Sequence, residues 1–187
     1  MRHRFLEGLA GALAECRVAT LRYQFPYTEA GSSRPDPRPL LQKTVRAAVA
    51  AAAEHARGLP LLAGGKSMGG RMTSLAAAEA PLGAVRGLVF VGFPLHPAGR
   101  PATERAAHLA EVALPMLFLQ GSRDRLAELG LLGPIVAALG PRAELEVVEG
   151  ADHSFAVPRS AGRSQADVLR GLAEAVGRFA ERAAGAP

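Results

Sequence analysis

Three reactive side chains fall at the ends of three short apolar runs in this 187-residue chain. Ser67 stands in Gly65-Lys66-Ser67-Met68-Gly69, Asp124 closes Gln120-Gly121-Ser122-Arg123-Asp124, and His153 lies in Gly150-Ala151-Asp152-His153-Ser154-Phe155. A serine hydroxyl is a poor nucleophile until a base takes its proton. An imidazole is such a base, and a carboxylate fixes its tautomer and stabilises its cation. The chemistry of such a set is acyl transfer through a covalent intermediate. The first segment fits G-x-S-x-G, in which the serine occupies a strained turn between a strand and a helix. The flanking Gly65 and Gly69 let the backbone pass without Cβ clashes, and the residue after the nucleophile, Met68, offers its N–H to an oxyanion.

Elimination narrows the set. The chain has four aspartates: Asp36 lies in a proline-rich loop, Asp167 on the final helix, and Asp152 beside His153, where adjacent side chains rarely face each other. Asp124 is left as the acid. Of the five histidines, His3, His55 and His108 fall on predicted helices, while His96, in Phe93-Pro94-Leu95-His96-Pro97, follows a strand and is the second candidate base. A competing reading takes Gly65-Lys66-Ser67 as the tail of a phosphate-binding G-x-x-x-x-G-K-[ST] loop. The first glycine of that pattern would fall on Pro60, and the stretch between is the apolar Leu61-Leu62-Ala63 rather than a glycine-rich turn.

The elements that must carry these groups alternate in period. Phe5, Leu6, Leu9 and Leu13 predict a helix over 3–15, followed by a β-type run over 18–24 and a proline-rich loop over 25–39. Helix is predicted over 40–57, strand over 61–63, helix over 69–80, strand over 87–92, helix over 102–112 and strand over 116–119. A helix over 125–139, interrupted at Gly130 to Pro134, a strand over 145–148 and a helix over about 162–183 complete the pattern. Strand and helix alternating about five times predict an α/β fold. Its mainly parallel sheet has helices on both faces and spans residues 1–187 as one domain. Sites in such sheets lie past the C-terminal strand ends, where Ser67, Asp124 and His153 fall in the order Ser…Asp…His of an α/β-hydrolase triad.

Composition excludes other classes. The chain is 49% hydrophobic and 21% charged, which supports a packed core. Its formal charge of +5 comes from 20 arginines and 2 lysines spread without clusters or aromatic interleaving, so no nucleic-acid surface is expected. No apolar stretch approaches the ~18 residues of a membrane span, and Glu7 and Glu15 interrupt any signal-peptide core. The single cysteine, Cys16, fits a reducing, cytoplasmic compartment. The spacing of histidines and carboxylates offers no metal set, and no cofactor is expected.

As a group, Gly64-Gly65-Lys66-Ser67-Met68-Gly69-Gly70-Arg71-Met72, Gly92-Phe93-Pro94-Leu95-His96-Pro97, Gln120-Gly121-Ser122-Arg123-Asp124, Gly150-Ala151-Asp152-His153-Ser154-Phe155 and Arg22-Tyr23-Gln24-Phe25-Pro26-Tyr27 resemble a family of small, dienelactone-hydrolase-like α/β-hydrolases. Its members include testis-expressed and NSL-complex-subunit proteins. The resemblance implies an α/β-hydrolase fold with Ser67, Asp124 and His153 at triad positions, and it implies no substrate. It also implies an N-terminal strand and a His-Gly-Ala-Gly-type turn ahead of the helix at 3–15, a segment this sequence does not contain. That strand would lie between the runs at 18–24 and 61–64, and its turn would carry the second oxyanion amide. Two expectations follow. One is a serine hydrolase for an ester or related acyl bond of a small soluble substrate, with no room for a lid domain. The other is a catalytically weak or inactive interaction module on the same fold.

Overall fold

The computed structural model describes residues 3–56 and 58–185. Residue 57, on which the predicted helix over 40–57 closes, and the predicted domain's outermost residues lie outside them. Four parallel strands, β1 (Leu61–Lys66), β2 (Val85–Val91), β3 (Met116–Gly121) and β4 (Ala143–Val148), pair in the order β1-β2-β3-β4. The helices are α1 (Arg4–Glu15), the single turn α2 (Pro26–Glu29), α3 (Arg38–Ala56), α4 (Met68–Glu79), α5 (Leu129–Ala138) and α6 (Gln165–Gly185). Residues Glu104–Glu111 form a 3₁₀ segment where a helix is expected.

The alternation of side chains along a strand explains why β2 and β3 read as continuous apolar runs. Leu88, Phe90, Met116 and Phe118 face a core that also holds Leu41 and Val45 of α3 and Met72 and Ala76 of α4. Val89, Val91, Leu117 and Leu119 face the other core, which holds Leu9 and Leu13 of α1 and Val168, Leu172, Val176 and Phe179 of α6. Burial is therefore two-sided at the middle of the sheet. The β4 edge is polar instead: Glu144 and Glu146 are exposed and pair with Arg182 and Arg178 of α6, a charged edge that discourages further strand pairing.

The sheet has four strands among the described residues rather than about five. Residues 18–24 enter no β-ladder. The segment has β-type composition, but a strand exists only when a neighbour pairs with it. Between this segment and β1 lies a cavity of about 80 Å³ lined by Leu21, Tyr23, Val45, Leu61, Ala63 and Thr73. A second difference concerns α5, which runs unbroken through Pro134. The N–H that proline lacks would have met the carbonyl of Gly130, so the helix runs on with one rung missing. Among the described residues no helix is long and apolar enough to cross a membrane.

Candidate active site

The strand β1 runs through Gly64 and Gly65 to Lys66, and α4 begins at Met68. Ser67 alone makes the turn between them. Its φ of 52° and ψ of −119° place it in a backbone region that side-chain-bearing residues rarely adopt. The turn persists because its surroundings determine it. Ser67 N–H donates to the carbonyl of Val91 on β2 (3.0 Å), and the Ser67 carbonyl accepts from Arg71 N–H (3.2 Å), the first rung of α4. A Cβ on Gly64 would stand 2.0 Å from the Val89 carbonyl oxygen, and one on Gly70 would stand 2.7 Å from the Gly65 carbonyl oxygen. A Cβ on Gly65 would press the Gly69 and Gly70 backbone at 3.1 Å.

These contacts correct one expectation about the motif. Gly69 has open space where its Cβ would be, so the close approach rests on Gly64, Gly65 and Gly70. Strand and helix meet along the Gly65–Gly70 contact, one residue beyond the second glycine of G-x-S-x-G.

The structure brings the three predicted side chains into one hydrogen-bonded row. Ser67 Oγ lies 2.9 Å from His153 Nε2, and His153 Nδ1 lies 2.7 Å from Asp124 Oδ2. Asp124 is 2% exposed. A buried carboxylate must be paired and hydrogen-bonded, and this one is: Oδ2 also accepts from Gln120 Nε2 (2.6 Å), and Oδ1 accepts from Leu126 N–H (2.8 Å). With its second carboxylate contact made to Gln120, Asp124 is held at a fixed angle to His153. The β3 end and the histidine loop come together because Gly121 has no side chain; a Cβ there would lie 2.4 Å from the Ala151 carbonyl oxygen.

Met68 is the first residue of α4, so its N–H, like those of Gly69 and Gly70, has no partner within the helix. Amides free at this end can serve an oxyanion. The His153 side chain is 27% exposed, which leaves the row reachable from solvent.

The other candidates are placed elsewhere. Asp152 folds back on its own loop, with Oδ1 accepting from Ser154 N–H, Ser154 Oγ–H and Ala156 N–H at 2.8, 2.6 and 3.0 Å. His96 is completely buried; its Nδ1–H donates to the Pro97 carbonyl (2.9 Å), and its Nε2 faces Glu128 Oε2 at 3.4 Å rather than Ser67. His108 Nε2 meets Ser74 Oγ on α4 at 2.7 Å.

Two further residues support the row, Gln120 and Lys66. Gln120 is fully buried, and its Oε1 accepts from Phe93 N–H (3.0 Å) while its amide holds Asp124. Its signal was a polar residue following Met116-Leu117-Phe118-Leu119, where the strand is otherwise apolar. Lys66 does not face a phosphate pocket. Its Nζ donates to the His153 carbonyl (2.6 Å) and lies 5.2 and 5.4 Å from the ring centres of Phe5 and Phe155, which stack on each other at 5.6 Å. Burial lowers the Lys66 pKa, and the charges of Asp124 and Asp152 oppose that shift. This ammonium ties α1, β1 and the histidine loop together.

Comparison with known proteins agrees with this architecture. A family model described as "Alpha/beta hydrolase domain" matches residues 1–181. An alpha-beta serine hydrolase homologue from Coxiella burnetii superimposes with a TM-score of 0.72 at 24% identity, over 96% of this chain and 77% of its own. A dienelactone hydrolase from Anabaena variabilis gives 0.73 at 20% identity, over 97% of this chain and 80% of its own. A Xanthomonas campestris a/b serine hydrolase described as without lid gives 0.70 at 22%, over 96% and 75%.

Proposed function

The chain belongs to the alpha/beta hydrolase domain family, and on that premise we propose that it is a serine hydrolase acting on an ester or related acyl bond of a small substrate. The observation that carries this reading is the row from Ser67 Oγ through His153 to Asp124, on a serine held at φ 52°. Ser67 Oγ attacks the acyl carbon while His153 Nε2 takes its proton. Asp124 holds Nδ1–H and stabilises the imidazolium that forms. Met68 N–H receives the negative oxygen of the tetrahedral intermediate. His153 then returns the proton to the leaving group, and water repeats the sequence on the acyl-enzyme with the same residues. The Coxiella protein, described as a serine hydrolase homologue, and the Xanthomonas protein, described as an a/b serine hydrolase, support the reaction class, and the exposed side of His153 suits small substrates that arrive from solvent.

The alternative, a weak or inactive interaction module, draws on the outer edge of β1, which among the described residues no strand pairs, beside the cavity. One experiment separates the two. A fluorophosphonate probe labels Ser67 only when the serine is activated, and p-nitrophenyl acetate reports turnover. Labelling and turnover are expected in the natural chain, with both lost in Ser67→Ala, a decrease of about 10⁴-fold or more. A natural chain that neither labels nor turns over, or a Ser67→Ala variant that keeps most of the activity, overturns the proposal.

A further inference from the structure

A second group of polar side chains continues along α4 from the nucleophile. Arg71 follows Ser67 by four residues and Ser74 follows Arg71 by three, spacings that put all three on one side of the helix. Helical side chains lean toward the helix N-terminus, so Arg71 leans toward the turn that carries Ser67. Ser74 Oγ anchors the 3₁₀ segment to this face through His108 Nε2. Residues three apart eclipse in a 3₁₀ helix, which stacks Arg105 over His108 on the same side. Arg38 opens α3, and its charge is felt by both Arg71 and His108.

The charges of Arg105 and Arg38 are both felt at Arg71, so three guanidinium groups act on this flank of α4. Among the described residues none of the three has a carboxylate within 4 Å or makes a hydrogen bond. Arg71 Nε is buried and has no acceptor. Arg178 and Arg182 pair with glutamates, and Arg142 and Arg46 cap backbone carbonyls, whereas Arg71 keeps a buried donor unsatisfied. Like charges gathered around an unsatisfied donor are unfavourable in the free protein, and the natural complement is a planar or tetrahedral anion that several N–H groups grip at once. We propose that Arg71, Arg105 and Arg38 form a binding site for an anionic group, a carboxylate or a phosphate, one helical turn from the nucleophile.

The anion has two possible sources: an acid group on the acyl substrate itself, which rests on the hydrolase reading above, or a free phosphate. Burial, Arg71 and Arg38 together hold the His108 pKa down at about 4, so its ring is neutral and adds no charge to the cluster. It serves as a reporter.

The test uses the full chain and inorganic phosphate, followed by NMR at the arginine Nε–H and His108 ring signals. The expected result is a saturable shift, with affinity falling about tenfold or more in Arg71→Gln, as for the loss of a charge-assisted contact. Arg105→Gln is measured alongside, so that a folding failure in one variant leaves the question open to the other. A shift that grows without saturating, or folded variants that bind phosphate as the natural chain does, overturns the proposal. The source is read from p-nitrophenyl esters of a dicarboxylic acid, which keep one free carboxylate, against neutral esters of equal length. A substrate-derived anion predicts that Arg71→Gln erases a preference for the charged ester and that phosphate inhibits competitively. Phosphate binding without competition assigns the site to free phosphate. If neither ester turns over while phosphate still saturates, the hydrolase reading falls and the anion site stands.

Discussion

The proposed acid and the proposed nucleophile, Asp124 and Ser67, sit at the ends of two strands of one sheet, yet they are held in opposite ways. Asp124 follows β3, which is buried at all six positions and has a neighbour on each side. It is fixed by polar satisfaction, with Gln120, Leu126 N–H and His153 all bonded to one carboxylate. Ser67 follows β1, which is half-buried at all six positions, pairs among the described residues only with β2 and has a cavity of about 80 Å³ along its other side. It is fixed by shape: glycines press β1 onto β2 and α4, and a positive φ is locked by bonds to Val91 and Arg71. A seat built of hydrogen bonds tolerates a change of volume but not of donor and acceptor. A seat built of glycine contacts does the reverse.

The largest expected effect tests the acid's side. Asp124→Asn keeps the shape but puts an amide where His153 needs an acceptor, and it stabilises the wrong tautomer. A loss of about 10⁴ in kcat is expected, as tautomer errors of this kind produce. Asp152→Asn, whose carboxylate bonds only within its own loop, is expected to keep kcat within about tenfold. Ester turnover by the two variants checks the pair, and equal losses would remove Asp124 from its assigned role.

The nucleophile's side breaks by volume. Gly64→Ala places a methyl 2.0 Å from the Val89 carbonyl oxygen, backbone against backbone, where neither strand can give way without unpairing. A destabilisation of about 3 kcal/mol or more is expected, at the top of the overpacking range. Gly69→Ala meets nothing within 4 Å on the helical stretch that follows the turn. Replacing that glycine is expected to be neutral or to add up to about 1 kcal/mol of stability. Urea unfolding of both variants measures the contrast, and a Gly69→Ala variant as unstable as Gly64→Ala would show that the second motif glycine is structurally required.

The same contrast explains what the sequence disclosed. That Ser67, Asp124 and His153 come together was legible because each follows an apolar run, and parallel sheets gather strand ends at one edge. The elimination of Asp152 was legible from adjacency alone. Gly70 was not, because G-x-S-x-G draws attention to Gly69, while the close contact depends on which helical residue crosses Gly65. The strand expected at 18–24 failed for a related reason. Val18, Leu21 and Tyr23 have strand-forming character, but pairing is a property of two segments, and one segment's composition does not report whether the other is adjacent. Gln120 and Lys66 were visible as residue types out of place in their strands, yet Phe93 N–H, from which Gln120 accepts besides holding Asp124, and the His153 carbonyl, which Lys66 bonds, are backbone groups that no side-chain pattern reveals.

The smallest effect expected lies on the flank of α4, the helix that continues from Ser67. His108 meets Ser74 there and feels the charges of Arg71 and Arg38, with the Phe93 ring 6.5 Å away. Burial, then Arg71 and Arg38, lowers its pKa from 6.5 to about 4. Between those values the unfolded chain holds a proton on this histidine that the folded chain does not. Stability from this group is therefore intact above pH 6.5 and is lost as pH falls toward 4. The ring is partly exposed and solvent screens it, so the expected fall in Tm is small, about 2–4 °C for a chain of this size. His108→Gln keeps a polar group near Ser74 but cannot titrate. Subtracting its melting curve from that of the natural chain cancels the carboxylates common to both, including Asp152, whose depressed pKa acts below 3.8. The difference is expected to slope between pH 6.5 and 4 and to flatten above 6.5. Saturating phosphate sharpens the measurement: an anion held by Arg71, Arg105 and Arg38 offsets their repulsion of the imidazolium, moves the window upward and shrinks the slope. A flat difference across the whole range would mean that His108 protonates as easily in the folded chain as in the unfolded one, and that the nucleophile's helix is not held at this point by a neutral ring.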